Sequence, residues 1–252
     1  MKSSFEGENV KYYELFFLPD KKIQSDIDYL MGIIRANKAS KQALLDVGCG
    51  TGAHAHSFGS FFEEVYAIDI SRDMVEHARM NHYACNVNYE CLDIVQHAIK
   101  FEKIDIAVSL AHVIGYQLKN ESVKAFVEHV GQSLKKGGLF IFTFYNMAAV
   151  YLGQLEPRTV TVDKGGIQLT RLSNATIDAE NNCLLLDYYY IVEDKGKLKT
   201  YEVHEKMRCF TKMEMDYYLK ENGFMPICYY AYGTNHELTS HEWNGLCVAR
   251  KV

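Results

Sequence analysis

A short apolar run, Ala43-Leu44-Leu45, leads straight into Asp46-Val47-Gly48-Cys49-Gly50-Thr51-Gly52, and no other stretch of the chain constrains the fold as tightly. Glycine is needed where backbone takes φ > 0 or lies close against a ligand, so this pattern reads as a buried strand that breaks into a tight turn and opens a helix. The spacing is D-x-G-x-G-x-G. A turn that seats a pyrophosphate on a helix N-terminus wants G-x-G-x-x-G instead, so no phosphate cradle is expected here. A second apolar strand, Val65-Tyr66-Ala67-Ile68-Asp69-Ile70, carries an acid roughly 20 residues after the first turn, where a ribose-binding carboxylate belongs in a βαβ unit. One carboxylate can accept from both ribose hydroxyls. Ser71 then reads as the cap of a helix bearing Met74, Val75, Ala78 and Arg79.

Further apolar runs follow: Tyr89 to Ile94 with Asp93 near its end, Ile104 to Leu110, and Leu139 to Phe144 after the turn Lys136-Gly137-Gly138. Strands of this kind alternating with helical segments predict a doubly wound parallel sheet, with ligand at the carboxyl ends of its strands. Asp46, Asp69 and Asp93 all fall at such ends. From about Thr159 to Cys209 the pattern changes to short alternating runs rich in β-formers, broken by Asp163-Lys164-Gly165-Gly166, Ala179-Glu180-Asn181-Asn182 and Asp194-Lys195-Gly196. A helix is expected from Lys212 to a cap at Asn222-Gly223, then strands at Ile227–Tyr230 and Leu246–Arg250. The predicted fold class is α/β: a doubly wound, mainly parallel, seven-stranded Rossmann-like sheet. Residues 1–252 form one domain in this reading, with 159–209 inserted after strand five as an antiparallel meander over the active site.

Length permits this, since 252 residues with 48% hydrophobic content can bury a large core. With three prolines and no Ser/Gly-rich tract, nothing reads as a linker. The N-terminus has no apolar leader and no later run approaches a membrane span, so a cytoplasmic protein without membrane partners is expected. Seven cysteines without C-x-x-C spacing read as small buried thiols in a reducing compartment, with no metal site. A net charge of −5 with dispersed Lys and Arg argues against a nucleic-acid partner.

The stretch from Asp46 to Gly52, with Asp69 and Asp93 behind it, resembles the class I S-adenosylmethionine-dependent methyltransferases. That resemblance implies S-adenosyl-L-methionine as cofactor and S-adenosyl-L-homocysteine as product. It implies cofactor contacts from Tyr13, Asp46, Gly48, Gly50, Gly52, Asp69, Ile70, Met74, Asp93, Ile94, Ser109 and Leu110. A nicotinamide oxidoreductase fits neither the glycine spacing nor Asp93. The motif N/D-P-P-Y/F that marks methylation of exocyclic amines on nucleobases is replaced here by Ser109-Leu110-Ala111-His112, and no Pro-Cys nucleophile is present. A small polar acceptor is therefore expected.

Within that class, the strand-five aromatics, the meander, the stretch Glu205 to Thr211 and the helix ending at Gly223-Phe224 are similar to the nucleotide-sugar N-methyltransferases, including the amino-sugar N,N-dimethyltransferases and their surface-polysaccharide relatives. Thr170-Arg171-Leu172-Ser173 matches a T-R-x-S stretch of that group, and Lys11-Tyr12-Tyr13-Glu14-Leu15 resembles its opening segment, whose tyrosine covers the cofactor. The resemblance implies methyl transfer to the amine of a nucleotide-linked or phosphorylated sugar-like metabolite. Two alternatives stay open: O-methylation of a small polar or polysaccharide-precursor hydroxyl, and a non-catalytic S-adenosylmethionine-binding partner subunit. A homodimer is also left open.

The group's histidine follows the glycine of the loop after strand four. Here the loop is His112-Val113-Ile114-Gly115-Tyr116, so the histidine precedes the glycine and a tyrosine follows it. His112 is the better base by its ordinary pKa, Tyr116 the better fit as an orienting hydrogen bonder, and Tyr13 joins them as a catalytic candidate. His112 could equally pack against the strand end, and His54 and His56 read as structural. Arg171 and Arg208 are candidates for gripping an acceptor phosphate bidentately, against the plainer reading of solvated strand charges. Tyr145, Tyr188 and Tyr190 are candidates for the acceptor pocket or for the meander's packed face, and alternation places Tyr188 and Tyr190 on one face.

Overall fold

The structure is a computed structural model that describes residues 5–17, 19–101, 103–153 and 155–252. Two helices come first, α1 (Val10–Phe17) and α2 (Asp20–Ala36). The predicted alternation follows as β1 (Ala43–Val47), α3 (Ala53–Phe58), β2 (Glu64–Asp69), α4 (Arg72–Asn81), β3 (Val87–Cys91), β4 (Ile104–Ser109), α5 (Asn120–Ser133) and β5 (Leu134–Tyr145). A short helix, α6 (Met147–Leu152), leads to four long strands, β6 (Arg158–Lys164), β7 (Ile167–Asp178), β8 (Cys183–Asp194) and β9 (Lys197–Arg208). The chain closes with α7 (Lys212–Glu221), β10 (Phe224–Ala231) and β11 (Asn244–Lys251). Among the described residues no helix is long and apolar enough to cross a membrane.

One sheet has seven strands in the order β10-β11-β5-β4-β1-β2-β3. β1 pairs in parallel with β2 and β4, β3 and β5 extend the parallel part, and β11 and β10 add antiparallel beyond β5. β4 is buried along its whole length because helices cover both faces, which is why it reads as an unbroken apolar run. Alternate residues serve opposite faces. Leu45, Val47, Phe140 and Phe142 pack with Phe126 and Val127 of α5, whereas Leu44, Ile106 and Ile141 pack with Leu30 and Ile34 of α2 and Phe58 of α3. The turn Lys136-Gly137-Gly138 lies inside β5: Ile104 pairs with Leu134 and Ile106 with Leu139, so the residues between bulge out of register. Strand order reverses between β1 and β4, the crevice where an open α/β sheet takes its ligand.

The second sheet is the predicted antiparallel meander, β6-β7-β8-β9, turned through Gly165-Gly166 and Lys195-Gly196. Its root is fixed at the carboxyl end of β5. Phe210 N–H donates to Tyr145 O (2.9 Å), Met147 N–H to Phe210 O (3.0 Å), and Asn146 Nδ2 to Thr239 O (2.7 Å). Helix α1 lies against the meander, with Tyr12 and Phe16 packed among Leu169, Tyr190 and Val203. The meander and α1 therefore stand together at the carboxyl edge of the parallel sheet.

Candidate active site

At the end of β1 the N–H groups of Gly48 and Cys49 donate to Ile68 O (2.8 and 3.0 Å), which ties the glycine turn to the tip of β2. Asp69 sits at that tip. Its Oδ2 accepts from Gly50 N–H and its Oδ1 from Ser71 N–H, each at 2.8 Å. A carboxylate oxygen has two lone pairs, so each still has one to offer. Burial pushes the Asp69 carboxyl up, against the pull of the Ser71, Gly50 and Ile70 N–H groups, and leaves it above its ordinary value. Asp69 lines a chamber of about 430 Å³ together with Val47, Ile70, Met74, Asp93, Ile94 and Val113. Asp93 Oδ1 is held by Val95 N–H at 2.9 Å. Gly50, at φ +54°, has no atom within 4 Å of where a Cβ would stand, so bare backbone faces the chamber. A largely apolar chamber lined by two carboxylates and by bare backbone at Gly50 offers the groups that a nucleoside needs.

Two residues expected at the cofactor are placed elsewhere. Gly52 begins α3 at φ +86°, and a Cβ there would lie 2.7 Å from Ala78 and from the Tyr89 ring, so this glycine serves close packing of helix on strand. Ser109 is fully buried inside β4 and spends its hydroxyl on Val47 O (3.0 Å). Neither lines a chamber. Leu110, next along, does.

A second chamber of about 500 Å³ adjoins the first; both are lined by Phe5, Tyr13, Gly48, Gly50, Ala111 and Tyr116. Asp46, Leu110, His112, Tyr145, Tyr188 and Glu205 line only the second. Burial lifts the Asp46 carboxyl to about 7, with His54 pulling down and Asp69 pushing up. His112 has left-handed backbone (φ +61°) and donates its N–H to Thr143 Oγ1 (2.9 Å). Its ring stacks on Tyr145 at 4.0 Å, and its buried Nε2 finds no hydrogen-bond partner among the described residues. Burial, only partly offset by Asn244, pushes its pKa down to about 4. The ring is therefore neutral and a weaker base than its ordinary pKa suggests.

Glu205 of β9 is the central residue that the sequence reading left out. Tyr116 donates its hydroxyl to Glu205 Oε2 at 3.1 Å. Burial raises this carboxyl, opposed by the Tyr116 hydrogen bond and the nearby Arg171. Tyr13, Tyr116, Tyr145 and Tyr188 all feel its charge, and burial first and then Glu205 push their phenols up, Tyr145 to about 12. The ring of hydroxyls around one carboxylate is thus protonated at neutral pH. A signal existed: Glu205 shares strand parity with Val203 and Met207, so it is an acid on the apolar face. Lys22, Asp26 and His54 also line this chamber, joined by a Lys22–Asp26 ion pair and His54 Nε2 to Asp26 Oδ2 at 3.0 Å.

The remaining candidates separate. Arg171 does not line either chamber; its guanidinium lies over Phe16 (4.1 Å), Phe17 (4.8 Å) and Tyr188 (4.8 Å), and its buried Nε has no hydrogen-bond partner among the described residues. Arg208 faces away from the chambers, bonded to Asn120 Oδ1 (2.8 Å), Glu214 and Tyr218 between α5 and α7. It is a packing residue. Tyr188 and Tyr190 share a face, but Tyr190 stacks on Tyr201 at 4.7 Å and does not reach the chamber. All seven cysteines are free thiols, though Cys85 and Cys91 are exposed where buried ones were expected.

Comparison with known proteins agrees with this geometry. Residues 44–138 match the family model described as a methyltransferase domain. The chain is 24% identical over 194 residues, covering 77% of it and 79% of its relative, to the dTDP-3-amino-3,4,6-trideoxy-alpha-D-glucopyranose N,N-dimethyltransferase of Streptomyces venezuelae. It superposes on the crystal structure of Streptomyces venezuelae DesVI with a TM-score of 0.84 at 21% identity, over 98% of this chain and 100% of that one. CalS10, an amino pentose methyltransferase from Micromonospora echinaspora solved with S-adenosylmethionine bound, gives a TM-score of 0.78 at 19% identity with both chains covered in full. The chain carries a methyltransferase domain on an α/β Rossmann-like fold, and its methyl donor is S-adenosylmethionine.

Proposed function

We propose that this enzyme methylates the amine of a nucleotide-linked sugar, and that the first chamber takes the adenosine of the cofactor while the second takes its methionine end and the acceptor. The observation that carries the reading is the Glu205 carboxylate, half-buried in the second chamber and held by the hydroxyl of Tyr116, which lines both chambers. S-adenosylmethionine, when bound, supplies an electrophilic methyl on a sulfonium. As an amine attacks, positive charge moves onto its nitrogen, and a preorganised carboxylate beside that nitrogen stabilises the charge as it develops. Glu205 also accepts an N–H of the amine and so orients the lone pair, with Tyr116 holding the carboxylate in place. His112 and Tyr145, stacked, wall the site against water. Asp69 accepts the ribose hydroxyls, Asp93 the adenine amino group, and Asp46 faces the cofactor's ammonium. Tyr13, from α1, covers the junction.

The names of the relatives support the acceptor class, since the Streptomyces venezuelae enzyme acts on a dTDP-linked 3-amino sugar. Arg171, packed over the Tyr188 ring that lines the second chamber, is the cation this reading assigns to the nucleotide's diphosphate. A hydroxyl acceptor would need a strong base, and a histidine with pKa about 4 is a poor one. The test is S-adenosylhomocysteine release with dTDP-3-amino sugars against their 3-hydroxy counterparts. Turnover confined to the amino series is expected. Turnover of the hydroxyl series alone would replace this reading with O-methylation.

A further inference from the structure

Helix α1, which brings Tyr13 to the junction of the chambers, meets α4 through a group of side chains with no part in the reaction described above. Glu14 of α1 faces His77 and His82, the latter just past the end of α4. Glu14 Oε1 is 2.7 Å from His82 Nε2 and 3.8 Å from His77 Nε2, and the potential ligand atoms of all three lie within 4.8 Å of one another. Their side chains are 19–27% exposed, so the group is mostly walled by protein yet open to water on one side. His82 is positioned through its carbonyl, which accepts from Tyr89 Oη at 2.8 Å and lies 3.2 Å from His56 Nδ1.

We infer that Glu14, His77 and His82 form a divalent transition-metal site, of the two-histidine, one-carboxylate kind, that fastens α1 to α4. At 3.8 Å His77 stops short of a hydrogen bond to Glu14, and a tetrahedral Zn²⁺ with bonds near 2.0–2.1 Å sets its ligand atoms roughly 3.3 Å apart, between the two observed separations. Changes of roughly 1.5 Å or less in these separations bring the three ligand atoms to that spacing, with water in the fourth position. The imidazoles and carboxylate favour Zn²⁺ or Co²⁺ over Mg²⁺, which prefers oxygen ligands. The consequence is mechanical: α1 also packs on the meander, so a metal here ties core, covering helix and meander together.

The experiment uses the whole protein, stripped with a chelator and then given Zn²⁺, Co²⁺ or Mg²⁺. Zinc at a hundredfold above its Kd should raise Tm by roughly 5–10 °C. Co²⁺ should show visible absorption of a tetrahedral site, and Mg²⁺ should do neither. Both responses should vanish in His77→Ala and Glu14→Gln while persisting in His204→Ala, which removes an exposed histidine–acid pair on the meander. Amide exchange over residues 10–17 should slow with zinc. Absence of a zinc response in the native protein, an unchanged response in His77→Ala and Glu14→Gln, or binding that leaves exchange in α1 unaltered would each overturn the inference. The Tm of each variant without metal reports its folding independently.

Discussion

Replacing Glu205 with glutamine keeps the shape of the side chain and an oxygen for the Tyr116 hydroxyl, now at 3.1 Å, while removing the charge. A full charge pair about 4 Å apart gains ~4 kcal/mol at an effective dielectric of about 20. If roughly half the charge has reached nitrogen in the transition state, the carboxylate contributes ~2 kcal/mol there, so Glu205→Gln should lower kcat roughly 30-fold. Stability should move the other way. The folded-state pKa of Glu205 is raised by burial, so ionising it opposes folding. That penalty is complete above the folded pKa and absent below the unfolded one, and the glutamine variant should be the more stable near pH 8, with the advantage fading as pH falls into the ordinary carboxylate range. Single-turnover methyl transfer with a dTDP-3-amino sugar, alongside thermal melts at several pH values, reads both. A kcat within threefold of native, or a lower Tm at pH 8, would refute the reasoning.

Three further outcomes are expected. Asp69→Ala should lose two charge-assisted hydrogen bonds to ribose, about 1.5–3 kcal/mol each, and bind S-adenosylmethionine at least tenfold more weakly with the fold intact; a calorimetric titration showing native affinity would contradict the assignment. Asp46, raised to about 7, holds its proton in the free protein below that pH, whereas the cofactor's ammonium prefers the carboxylate, so cofactor affinity should fall by up to about tenfold per unit as pH drops below 7. Asp46→Asn should flatten that profile, and an unchanged slope would separate Asp46 from the cofactor. His112→Ala should cost less than about a hundredfold in kcat, and a loss of three orders of magnitude with cofactor affinity intact would favour a base-dependent hydroxyl acceptor.

What separates the meander residues on the chamber side from those that leave it is one physical fact, the pleat. Leu186 pairs with Glu205, Tyr188 with Val203, Tyr190 with both Arg171 and Tyr201, and directly opposed residues share a face. That face carries Arg171, Tyr188 and Glu205 toward α1 and the chambers. Arg208 has the opposite parity and leaves toward α5 and α7. Without the register, the two arginines look alike. His112 shows a second limit: its pKa depends on distant elements, on burial beside Thr143 and Tyr145 of β5 and on the opposing hydrogen bond to Asn244 of β11.

The sequence by itself determined the parallel sheet, the glycine turn, and the acids Asp46, Asp69 and Asp93, because each is encoded locally: apolar period, backbone that only glycine tolerates, and strand ends that sit beside one another whenever strands are parallel. Tertiary structure alone decided the second chamber. Its walls come from α1, the tip of β4, β5 and the far strand of the meander, about 90 residues from the loop that Glu205 meets, at Tyr116. A contact between elements that distant depends on sheet register and on where the meander is rooted, and neither is written in the periodicity of either segment.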